Sequence, residues 1–77
     1  MTVDHDAPRP VYLQVADILR AAIERGDLAP DRAIPSESRL MQDHGIARET
    51  ARKAVRLLAD EGLVYVVQGR GVYVTKR

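Results

Sequence analysis

There is no cysteine among the 77 residues. Disulfides and thiolate zinc sites are thereby excluded. Histidine is scarce as well. His5 and His44 stand far apart without the spacing of metal ligands, so no metal site is expected. Tryptophan and phenylalanine are absent, and the aromatics are three tyrosines. Tyr12, Tyr65 and Tyr73 all sit in apolar patterns and are expected in the core, which leaves no stacking platform for single-stranded RNA. No apolar run approaches the ~18 residues that point to a membrane span, and no signal-peptide pattern is present. A soluble, cytoplasmic protein is expected. Catalytic sets are missing too. There is no Ser/His/Asp or Cys/His arrangement and no carboxylate pair beside a plausible pocket. Asp60-Glu61 reads as the polar end of a helix. Neither an enzyme nor a cofactor is expected.

What is present is enough hydrophobic residue, 45%, for one small domain. The net charge of +1 is uninformative by itself, but its distribution is uneven. Residues 1–43 hold five basic and eight acidic residues, a net −3, whereas residues 44–77 hold seven basic and three acidic, a net +4. A basic half is a candidate surface for a polyanion. An unevenly charged but merely solvated surface has the same composition.

The periodicity predicts three helices followed by a hairpin. Residues 1–9 read as a loose tail. Pro10 suits a first helical turn, and Val11, Val15, Ile18, Leu19, Ala22 and Ile23 recur at helical spacing up to Arg25, with Gly26 as a stop. Ser36 is an N-cap signal for a short helix over 37–43, with Leu40 and Met41 as its core contacts and His44 as a half-buried structural histidine. Gly45 allows a sharp reversal into a third helix over 48–60, whose apolar residues Ala51, Ala54, Val55 and Leu58 share one face. After Gly62 the period becomes strand-like. Residues 64–68 and 72–75 flank Gly69-Arg70-Gly71 as the arms of a hairpin, and Ala33-Ile34 is a candidate for a very short additional strand. The expected fold is mainly α with a small β-hairpin, a winged helix-turn-helix over 10–75. Its helix-turn-helix spans about 36–60 and its wing 64–75.

Arg48, Arg52 and Arg56 stand four residues apart and share a sector of ~80° beside the apolar face of the third helix. Guanidinium groups so arranged can grip phosphates or pair two-pronged with guanine in a major groove. Taken alone, the stripe also fits an ordinary solvated helix face. The hairpin tip Gln68-Gly69-Arg70-Gly71 adds an arginine between glycines, able to approach phosphate or a narrow minor groove. Cations on both elements favour double-stranded DNA as the partner. The alternative is a winged-helix protein-interaction module without DNA binding, which has no need of them.

Five blocks in order, Pro10-Val11-Tyr12-Leu13-Gln14-Val15, Ile34-Pro35-Ser36-Glu37, Ala47-Arg48-Glu49-Thr50-Ala51-Arg52-Lys53-Ala54, Glu61-Gly62-Leu63-Val64 and Gln68-Gly69-Arg70-Gly71, resemble the N-terminal domain of gluconate-repressor (GntR) type regulators. The resemblance covers about residues 9–75 and is nearest to the YtrA-like and HutC-like branches. It implies a transcription regulator, a repressor binding a palindromic operator as a homodimer. By position, Arg48, Thr50 and Arg52 match recognition-helix residues that contact phosphates and base edges, and Gln68 and Gly69 match the part of the wing that enters the minor groove. With Ser36, Arg39, Glu49, Lys53, Arg56 and Arg70 they make up the candidate DNA-binding set.

Two residues depart from the family pattern. Many relatives carry arginine directly after Pro-Ser-Glu, where this chain has Ser38 and places Arg39 one position later, turned by ~100° on a helix. Ala47 stands where serine or threonine is usual, which removes a capping hydroxyl and one phosphate hydrogen bond. Relatives also continue into an effector-binding or dimerising domain. This chain is either a DNA-binding fragment or a minimal regulator, with Met1 favouring a natural N-terminus and no small-molecule effector expected within it. A monomer or weak dimer is expected off DNA.

Overall fold

Pro10 precedes the first helix, α1 (Val11–Arg25), as its N-cap, where a residue without an N–H loses no hydrogen bond. The structure, a computed structural model, describes residues 3–76; Met1 and Thr2 of the expected tail lie outside them, as does Arg77. A loop leads to α2 (Glu37–His44), started by the Ser36 Oγ, which accepts the Arg39 N–H at 3.1 Å. Helix α3 (Arg48–Asp60) follows after three residues, and strands β1 (Val64–Val67) and β2 (Gly71–Val74) close the chain. Helix α2 runs through His44, one residue past its expected end. Gln68 belongs to the hairpin turn and Gly71 to the second strand. Thr75 lies beyond β2, although its N–H bonds the Leu63 carbonyl at 2.9 Å.

The reversal between α2 and α3 depends on Gly45. Its φ of 62° is left-handed, and its N–H bonds the Met41 carbonyl. A Cβ added there would find only His5 Nε2, at an ordinary 3.9 Å, so the cost of a side chain lies in the backbone and not in a clash. Gly45→Ala is expected to lower unfolding stability by about 1–2 kcal/mol. Gly45→Asn is expected to cost less, because asparagine tolerates this region. Urea unfolding of both variants checks this, and equal losses would contradict it.

The core forms where α1 crosses α3 and the hairpin covers their ends. Val15, Ala16 and Leu19 of α1 meet Ala51, Ala54 and Leu58 of α3, all buried, with Leu40 from α2 and Leu63, Val64 and Val74 from the hairpin. Alanines at 16, 51 and 54, each fully covered, let the two helices approach closely. Ala16 lies outside the apolar set expected for α1. Ile18, Ala22 and Ile23, all in that set, are only partly covered.

The antiparallel register pairs Val64 with Val74, Tyr65 with Tyr73 and Val66 with Val72. Residues 31–34 extend the sheet beside β2: the Asp31 N–H bonds the Val74 carbonyl at 2.8 Å, the Val74 N–H bonds the Arg32 carbonyl at 2.9 Å, and the Ile34 N–H bonds the Val72 carbonyl at 2.9 Å. Ala33 bridges Tyr73 there, as the short Ala33-Ile34 strand required. The tyrosines depart from expectation. Tyr65 is 40% exposed and stacks on Tyr73 with ring centres 6.0 Å apart, while its hydroxyl donates to Asp31 Oδ1 at 3.1 Å. A small sheet is covered on one face only, and strand alternation puts this pair on the other.

The segment before α1 makes specific contacts. Val3 is buried, the Asp4 N–H bonds Gln14 Oε1 at 2.8 Å, and Gln14 Nε2 donates back to the Asp4 and Arg9 carbonyls. Arg9 Nε meets Asp17 at 2.9 Å, and Arg20 links Asp17 to Glu61 with a two-pronged pair at 2.9 and 2.8 Å. The Asp17 carboxyl is held below the ordinary carboxylate range chiefly by the Arg9 hydrogen bond, against partial desolvation. These charges sit at the junction of α1 with the end of α3.

Candidate nucleic-acid interface

Helix α3 is preceded by its N-cap Ala47, extended at φ −75° and ψ 157° with no side-chain cap, as its missing hydroxyl requires. Glu49 places a carboxylate in the first turn, where the helix dipole favours it, and is exposed. Arg48 and Arg52, one turn apart, converge on one carboxylate from the first turn of α2. Arg48 donates to Glu37 Oε1 at 3.0 Å, and Arg52 Nε donates to Glu37 Oε2 at 3.2 Å. Both arginine side chains remain 51% exposed, so each keeps most of its donors available. Arg56 continues the ridge and has no carboxylate within ion-pair distance among the described residues.

Four other candidates at α2 and α3 are each placed differently. Ser36 spends its oxygen as the α2 cap, which leaves its hydroxyl proton to donate. Arg39 turns along its own helix to Asp43, with Nε 3.1 Å from both carboxylate oxygens, away from the Arg48–Glu37–Arg52 cluster. Lys53 lies over the Tyr12 ring, its Nζ 5.6 Å from the centroid, on the α1 side of α3, away from the Arg48–Arg52 pair, where it lines a shallow groove with Arg56. Thr50 is half-buried and stands about 200° round the helix from Arg48, so the structure does not bring it to the arginine pair.

Gln68, Gly69 and Arg70 are all exposed at the wing tip, where the Arg70 N–H bonds the Val67 carbonyl at 3.0 Å to close the turn. Arg70 has no ion-pair partner among the described residues. It lines an open groove of about 470 Å³ together with Pro35, Ser36, Glu37, Arg48 and Val72. Helix α3, the start of α2 and the wing therefore share one concave surface with arginines on two of its walls. Glu37 is the member that the sequence did not mark. It stands 11 and 15 residues before its partners, a separation that no helical or strand period links.

Residues 11–74 match the bacterial regulatory proteins of the gntR family. The chain belongs to that family. It is 40% identical over 76 residues to the HTH-type transcriptional repressor NagR of Bacillus subtilis (strain 168), covering 99% of this chain and 31% of that protein. To the mannosyl-D-glycerate transport/metabolism system repressor MngR of Escherichia coli (strain K12) it is 42% identical over 66 residues, 86% of this chain and 28% of that one. The chain thus spans less than a third of the length of these curated relatives. Its fold superposes on AraR(DBD), solved in complex with operator ORX1, with a TM-score of 0.87, 36% identity, and coverage of 97% of this chain and 99% of that one. The winged helix-turn-helix is thereby established as the architecture of this gntR-family chain, and the family is one of DNA-binding regulators rather than enzymes. Among the described residues no helix is long and apolar enough to cross a membrane.

Proposed function

We propose that residues 10–75 form the sequence-specific, double-stranded DNA-binding unit of a cytoplasmic transcription repressor. The observation that carries this reading is that Arg48 and Arg70 line one groove at the start of α3, with Arg52 held beside Arg48 through their shared Glu37. The first turn of α3 enters the major groove, with Arg48 and Arg52 at base edges and Arg56 on the backbone. Ser36 donates to a phosphate at the start of α2. Gln68, Gly69 and Arg70 follow the adjacent minor groove and backbone. Glu49 and Lys53, exposed on α3, flank this surface as secondary contacts, whereas Thr50 is half-buried on another side of α3 and Arg39 is turned to Asp43. The operator complex of AraR(DBD) and the repressor names of NagR and MngR support the reading.

A single module of this kind buries only roughly 600–1,000 Å² on DNA, too little to select one site in a genome. Two copies on a palindromic operator supply the rest, and the free protein is a monomer or weak dimer. Selection of bound duplexes from a random pool tests both points. An enriched inverted repeat is expected. No enrichment would overturn DNA recognition, and a single unrepeated half-site would overturn the pairing.

Arg70 contributes sequence-independent affinity. Arg70→Ala is expected to flatten the dependence of log affinity on log salt by about one unit, with thermal stability unaltered. An unchanged slope measured by fluorescence anisotropy would reduce the wing tip to a turn.

A further inference from the structure

Glu37 occupies an unusual place for an acid, between two arginines on a surface meant for a polyanion. Its two oxygens are divided between them, Oε1 to Arg48 at 3.0 Å and Oε2 to Arg52 at 3.2 Å, and the residue is half-buried. Arg56 and Arg70 have no such partner among the described residues. We propose that Glu37 is a positioning residue for sequence recognition. It fixes both guanidinium groups in one orientation and, by its charge, weakens their attraction to phosphate wherever the base edges do not match. The inference rests on the DNA-binding reading above and adds to it the origin of discrimination.

Two physical effects act together. Long side chains lose rotamer freedom when they are immobilised at an interface, and a carboxylate that already holds them removes part of that loss before DNA arrives. A guanidinium with one N–H committed keeps four others, enough for a two-pronged pair with guanine. On a wrong sequence the pair must be broken, or the carboxylate held near phosphates without compensation, and discrimination grows from that penalty.

The test measures affinity of wild type, Glu37→Gln and Glu37→Asp for the operator duplex selected with wild type and for a scrambled duplex of equal length. Glu37→Asp keeps the charge at the start of α2, where it favours the helix, so the fold is retained even if Gln weakens it. Both variants are expected to lower the operator-to-scrambled ratio about tenfold, Gln mainly by tighter scrambled-duplex binding. In the free protein the Arg52 Nε–H is expected to exchange with solvent faster than in wild type, and the Arg20 Nε–H at an unchanged rate. In an Arg48→Ala/Arg52→Ala background, Glu37→Gln is expected to leave the ratio unaltered. A variant ratio within twofold of wild type, or a lowered ratio with Arg52 exchange unmoved, overturns the positioning role. A wild-type protein that binds both duplexes equally instead overturns the DNA-recognition reading itself.

Discussion

An Arg48→Ala/Arg52→Ala protein is expected to bind its operator about 100- to 1,000-fold more weakly than wild type while melting at nearly the same temperature. Each base-edge contact by arginine contributes about 1–3 kcal/mol, and 1.4 kcal/mol is a factor of ten. The two losses are not independent, because both arginines share Glu37. The double variant also leaves that carboxylate unpartnered in the groove that would receive DNA, which adds repulsion to the lost contacts. Stability changes little because exposed ion pairs contribute about 0–1 kcal/mol and both arginines are half exposed. Anisotropy titrations of the two single variants and the double variant, with thermal melts of each, measure this. A double variant within threefold of wild-type affinity would remove α3 from the recognition surface.

Leu58→Ala is expected to cost about 2–5 kcal/mol of stability. Leu58 is fully buried, in the cluster that joins Ala51 and Ala54 of α3 to α1 and the hairpin. The side chains around it are themselves locked into a small core with little means of collapsing into the void. At about 4–8 °C per kcal/mol for a domain of this size, the melting temperature is expected to fall by at least about 10 °C. Leu57→Ala, one residue away and only partly covered, is expected to cost less than half as much. Operator DNA binds the folded state alone and is expected to restore part of the lost melting temperature. A Leu58→Ala protein that melts within 4 °C of wild type would show that the core is not centred on this side chain.

The helices and the wing were legible because local signals coincided with tertiary ones. For α3, Ala51, Ala54 and Leu58 set the buried face and Gly62 stands just past its end, and the observed bounds are Arg48–Asp60. Valine-rich runs around Gly69-Arg70-Gly71 defined the hairpin to within a residue. Other features depended on packing that no period records. The exposure of Tyr65 follows from which face of the sheet the helices cover, and its apolar neighbours in sequence point equally to either face. The contacts of Val3 and Asp4 depend on where the chain passes after folding. Within the candidate interface, the ridge of Arg48, Arg52 and Arg56 could be placed from helical spacing alone. Spacing alone did not separate Lys53 from it, since Lys53 stands about 100° from Arg52 but only about 60° from Arg56. Glu37 could not, because its role exists only once the start of α2 lies against the start of α3.

The arrangement makes one surface of three chain segments that are distant in sequence, and amide shifts of the isotope-labelled protein on titration with the selected operator duplex test it most directly. The largest shifts are expected at residues 36–39, 48–52 and 68–71 together, with the Asp17–Arg20–Glu61 junction little affected. Shifts centred on that junction, or on the Tyr65–Tyr73 face with the start of α3 unmoved, would contradict it.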